Sequence, residues 1–135
     1  EFPVESQLIA KSRELNNYKA FWCAEKIKNT ILEYEMKHSR KPVVAIMGLA
    51  FKPNIDDLRE SPAKYITQKV MQSEPKNLLI VEPNIREHPI FKLTDYQAAY
   101  ERADVVVFLV AHKEFKTLAW NEEKVILDFC GIFKK

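Results

Sequence analysis

Two cations seven positions apart, Lys52 and Arg59, stand in a run of sixteen residues at 48–63, GLAFKPNIDDLRESPA, that joins an apolar stretch to a helix start. A lysine is a mobile point charge and an arginine a planar fork, so together they suit a diphosphate. On a solvated loop the same two side chains could instead pair with Asp56, Asp57 or Glu60, and spacing leaves both readings open. Asp56-Asp57 has no accompanying ligand set and reads as a turn or helix-start pair rather than a metal site. The other candidates follow apolar runs. Glu82 stands where an acidic side chain can hydrogen-bond ribose hydroxyls in dinucleotide folds, or else caps or faces solvent. His112 has no evident partner and reads as a loop or cap residue rather than a base. Cys130 lacks a basic neighbour that would make it a thiolate, and Cys23, within Phe21-Trp22-Cys23, reads as packing. These residues do not make up a complete catalytic set.

The elements that must hold them are written around them. Residues 43–47 are apolar without a break and rich in β-branching, as in a strand buried on both faces, and Gly48 lets the chain turn at its carboxyl end. Ser61-Pro62 starts a helix, with serine capping the first amides and proline in the first turn. Further strands are predicted at 78–81, 105–110 and 125–127, and helices at 62–72, 95–102 and, briefly, 113–118. Strands alternating with helices imply right-handed crossovers and a mostly parallel sheet covered on both sides, an α/β Rossmann-like three-layer sandwich. Between Pro83 and Leu93 the pattern is ambiguous, and Ile90-Phe91 either adds a short strand or packs on the sheet.

Ahead of this lies a helical region, 6–38, with Ala20, Ala24, Ile27, Ile31 and Tyr34 at three- and four-residue steps. Asn16-Asn17 leaves open one long helix or two. The polar stretch ending at Pro42 divides the chain into a helical segment, 1–41, and the α/β domain, 42–135. Parallel sheets bind ligands beyond the carboxyl ends of their strands, here 48–60, 82–84, 111–112 and 128–131. With Gly48 and Gly131 the only glycines there is no GxGxxG, so close backbone approach to a pyrophosphate is poorly supported, and a phosphate held here would have to rely on charge from Lys52 and Arg59.

The 135 residues, 47% of them apolar, can bury one good core but are short for a dinucleotide enzyme with its own substrate domain. A formal charge of +2 with interleaved signs offers no broad basic face, which argues against nucleic acid as a partner. Two distant cysteines and three scattered histidines give no metal-ligand spacing. A reduced, cytoplasmic setting is expected, with neither a membrane span nor a signal-peptide pattern. The abrupt start before a helix suggests a piece of a longer chain. A phosphorelay receiver is excluded, because Gly48 occupies the position where that fold needs an acid.

The 48–63 run, VEPN at 81–84 and AHKEFK at 111–116 resemble the carboxyl-terminal, UDP-binding domain of the UDP-glucose/GDP-mannose dehydrogenase family, most of all its members acting on UDP-N-acetyl-D-mannosamine. SRELNNYKAFW at 12–22 is similar to the helical segment by which that family joins its two Rossmann-like domains and dimerises. The resemblance implies a UDP-sugar ligand contacted by Phe51 and Lys52, and Arg59 reaching to NAD held by another domain. It also implies a homodimer through the amino-terminal helices. The parent activity would be oxidation of a C6 alcohol to a carboxylate by two hydride transfers to NAD. The family's glycine-rich NAD domain and catalytic-cysteine segment are not among these 135 residues, so the chain alone should be silent. A non-catalytic nucleotide-sensing or dimerisation module is the alternative. One departure stands out: the family's basic residue after the last strand is replaced by Cys130.

Overall fold

The computed structural model describes residues 4–50, 61–73 and 77–133, with the side chains of the first helix from residue 19 onward. That helix, α1 (Val4–His38), is followed by β1 (Val44–Met47), α2 (Pro62–Ser73), β2 (Leu78–Val81), α3 (Tyr96–Arg102), β3 (Val105–Phe108), a 3-10 helix (Lys113–Thr117) and β4 (Val125–Asp128). The strands form one parallel sheet in the order β2-β1-β3-β4, with Val44 level with both Leu78 and Val105.

Alternation along the two central strands sorts their side chains into two cores. Val44, Ile46, Val105 and Val107 meet Ala20, Cys23, Ala24, Ile27, Ile31 and Tyr34 of α1 and Ile66 and Val70 of α2. Ala45, Met47, Val106 and Phe108 meet Ala99, Tyr100 and Ala103 beside α3, together with Phe115. The sheet is therefore covered on both faces, the Rossmann-like three-layer sandwich expected. Ile27 and Val70, both fully buried, each contribute about 1.5–3 kcal/mol through burial. The second half of α1 is thus a layer of the sandwich.

α1 runs unbroken through Asn16-Asn17, deciding between one helix and two. Each asparagine costs only about 0.7 kcal/mol against alanine, and the helix contains neither glycine nor proline. Its carboxyl end is fixed to the sheet by Arg40, whose guanidinium donates to both oxygens of Asp104 (2.9 and 3.1 Å) and to the Tyr34 hydroxyl (2.7 Å). The Asp104 carboxylate also accepts from the Val43 amide at 2.9 Å, tying the entry of β1 to that of β3.

One expectation changes and one open choice is settled. β3 ends at Phe108, not at residue 110, because the amides of Leu109 and Val110 both donate to the Met47 carbonyl and the regular ladder stops. Ile90-Phe91 forms no strand: Phe91 is buried, Ile90 is exposed, and the nearby sheet contact is an isolated bridge between Leu93 and Ile80.

Candidate functional site

β1 lies at the centre of the order, and the chain goes from it to β2 on one side and then to β3 on the other. Such a reversal opens a crevice between the carboxyl ends of β1 and β3, the usual ligand position in open α/β sheets. A cavity of about 230 Å³ lies there, lined by Ala50 beyond β1, Pro62 and Ala63 opening α2, Val110 and Ala111 beyond β3, and Cys130 beyond β4. The volume suits a base or a sugar ring rather than a whole nucleotide sugar, since sites for drug-sized ligands run to roughly 300–1,000 Å³. A wider hollow of about 570 Å³ lies beside Tyr100, Trp120 and Glu122, in the stretch leading to β4.

Ser61 fixes the start of α2 as expected. Its hydroxyl accepts from the Lys64 amide (3.3 Å) and donates to the Leu49 carbonyl (2.6 Å), so the helix cap also ties α2 to the end of β1. Phe51, Lys52 and Arg59, with Asp56, Asp57 and Glu60, fall in residues 51–60, outside the described residues. The chain enters and leaves that stretch through Ala50 and Ser61, and Ala50 and Pro62 line the cavity.

Gly48 has φ +109°, open to glycine alone, and a Cβ built on it would lie 2.7 Å from Val110 Cβ. Its missing side chain makes room for β3's continuation. An ordinary dinucleotide fold uses glycine here to admit a pyrophosphate, and this strand end does not fit NAD in that way.

Glu82 is only 2% exposed, which removes the surface role. Its Oε1 accepts from the amides of Leu49 and Ala50 (both 2.9 Å) and faces Nε2 of His112 (2.9 Å), while Oε2 accepts from the Asn84 amide (3.0 Å). Both oxygens are engaged within the protein, so the ribose role is not supported. Burial pushes this carboxyl up, but the hydrogen bonds from His112, Leu49 and Asn84 outweigh it and hold the group below its ordinary value.

His112, expected to stand alone, is fully buried and belongs to this cluster. Facing an acceptor, Nε2 carries the proton, and Nδ1 of that tautomer accepts from the Asn84 side-chain amide at 3.1 Å. The residues that converge here follow three different strands, and only the strand order brings them together.

After β4, the Asp128 carboxylate accepts from the amides of Gly131, Ile132 and Phe133 at 2.8–3.0 Å, closing a turn in which Gly131 has φ +82°. Burial first and the Asp128 charge second push the Cys130 thiol up to about 12, so it is no nucleophile at neutral pH. Cys23 is buried in the core, as expected of a packing residue. Among the described residues no group of three or more His, Cys, Asp or Glu could hold a metal, and no helix is long and apolar enough to cross a membrane.

A doubly wound parallel sheet with a small cavity at its switch point defines a nucleotide-binding type of α/β domain. Residues 45–135 match the UDP-glucose/GDP-mannose dehydrogenase family, UDP binding domain, and the chain belongs to that family. It is 37% identical to the UDP-N-acetyl-D-mannosamine dehydrogenase of Salmonella typhi, over 98% of this chain and 34% of that protein. It is 36% identical to an NDP-N-acetyl-D-galactosaminuronic acid dehydrogenase of Ralstonia nicotianae, over 97% and 31%. Among solved structures, the native UDP-N-acetyl-mannosamine dehydrogenase from Staphylococcus aureus superposes with a TM-score of 0.71 at 25% identity, over 96% of this chain and 35% of that one. The chain spans about a third of the length of the curated relatives it matches.

Proposed function

We propose that this chain is the UDP-sugar-binding part of an NAD-dependent UDP-N-acetyl-D-mannosamine 6-dehydrogenase, silent by itself. The observation that carries the reading is the cavity at the β1/β3 switch point in a chain of this family, lined by Ala50 just before the 51–60 stretch and by Pro62 shortly after it. Small side chains at Ala50, Ala63 and Ala111 leave room for a flat base or sugar ring between the strand ends and α2. Phe51 and Lys52 contact the UDP-sugar, with the Lys52 ammonium against the diphosphate. Arg59 reaches to NAD, which would be held mainly by a separate domain and would accept the two hydrides as the C6 alcohol becomes a carboxylate. Residues 1–41 serve as linker and dimerisation segment and 42–135 as the UDP-binding domain. The half-exposed Phe21 and Trp22 on α1 favour a homodimer through these helices.

Calorimetric titration of the chain with UDP tests the reading. Binding is expected, and Lys52→Ala should weaken it about tenfold or more, the loss of one charged hydrogen bond to phosphate. Tight binding that Lys52→Ala leaves unchanged would refute the role given to Lys52.

A further inference from the structure

In glycine-rich dinucleotide loops, the amides just beyond the first strand receive the ligand's pyrophosphate. Here the equivalent donors, Leu49 N and Ala50 N, are buried and point at Glu82 Oε1, each at 2.9 Å. We propose that Glu82 is an internal anion that fills the phosphate position at the end of β1, so that this domain holds a nucleotide diphosphate by side chains and never by these amides. The inference rests on the nucleotide reading of the same strand edge and specifies how that edge treats charge.

The donor count explains why a carboxylate is required. Four N–H groups converge on two oxygens: Leu49, Ala50 and His112 on Oε1, and Asn84 on Oε2. Glutamine has a single acceptor oxygen, and in either orientation its NH2 group would face at least one of those donors. His112 and Asn84 complete the arrangement from the ends of β3 and β2. Asn84 donates to Nδ1 of the imidazole, which keeps Nε2 aimed at the carboxylate. Glu82 is therefore a positioning residue: it fixes the first two residues of the stretch that leads to Lys52 without touching ligand. The absence of GxGxxG follows, because amides already occupied need no close ligand approach.

The test is made on the unmutated chain by NMR, detecting scalar coupling through hydrogen bonds from the Leu49 and Ala50 amides to the Glu82 carboxylate carbon. Both correlations are expected without ligand and at saturating UDP, with no coupling from either amide to phosphorus. Their absence without ligand, or their loss to phosphorus coupling when UDP binds, would overturn the inference. Calorimetry run in parallel separates the two claims: correlations present with no heat of UDP binding sink the nucleotide reading and support the internal anion. In Glu82→Gln the two amide protons should move upfield and UDP affinity should fall about tenfold. Unchanged shifts and unchanged affinity in that variant would contradict the positioning role.

Discussion

Replacing Gly48 by alanine strains the molecule twice at one point. The backbone there has φ +109°, a conformation that costs an L-residue about 1–3 kcal/mol. The new Cβ would also lie 2.7 Å from Val110 Cβ, 2.9 Å from its Cγ2 and 3.0 Å from its amide nitrogen, against a carbon contact optimum of about 3.5–4.0 Å. Two of those three atoms move only if β3's continuation moves, so the clash should cost a further 1–3 kcal/mol, roughly, as overpacked cores do. The sum, about 2–6 kcal/mol, is a large share of an ordinary domain's 5–15 kcal/mol. Urea and thermal unfolding followed by circular dichroism should show Gly48→Ala melting on the order of 10 °C or more below the parent. Adding Val110→Ala removes the Cγ2 contact alone and should recover less than half of the loss. A Gly48→Ala protein melting within about 2 °C of the parent would refute the geometry at the end of β1.

Further outcomes follow from other contacts. Asp104, held at about 2 against an ordinary 3.8 chiefly by its hydrogen bonds with Arg40, contributes stability that is present above pH 3.8 and lost as pH falls toward 2. Asp104→Asn should cost about 1 kcal/mol at neutral pH, after allowance for the exposure of Arg40, and should flatten stability against pH between 4 and 2; an unchanged acid limb would contradict this. Burial raises the thiols of both Cys23 and Cys130, so a thiol reagent at pH 8 should titrate neither in the folded chain and both in urea. One equivalent released rapidly from the folded protein would count against the described packing. Phe21, 53% exposed on α1, should sit in the dimer contact. Sedimentation should show a dimer converted to a folded monomer by Phe21→Lys, and a monomeric parent would rule that interface out.

Where one segment's own pattern decides an element, the sequence was legible. The short, β-branched apolar runs at 44–47 and 105–108 read as buried strands, and Ser61-Pro62 reads as a helix start, as the structure has them. Leu109 and Val110 continue the apolar run, and their departure from the ladder depends on the neighbouring Met47 carbonyl, which no local pattern reveals. The Glu82–His112 contact spans thirty positions and the Arg40–Asp104 pair sixty-four. Each exists because β1 sits between β2 and β3, an order that composition and spacing do not state. The cavity was hidden for another reason: Ala50, Ala63 and Ala111 matter by being small, and alanine carries no chemical signal. The cations, by contrast, stood out at once by charge and by their place after the first strand.

Whether this chain carries a nucleotide at the switch point of its sheet is decided by a crystal structure of the chain grown with UDP. The nucleotide should lie against Ala50, Ala63, Ala111 and Cys130, with its diphosphate toward Lys52 and the amides of Leu49 and Ala50 still on Glu82. UDP seated in the hollow beside Trp120, or its diphosphate on those two amides, would contradict it.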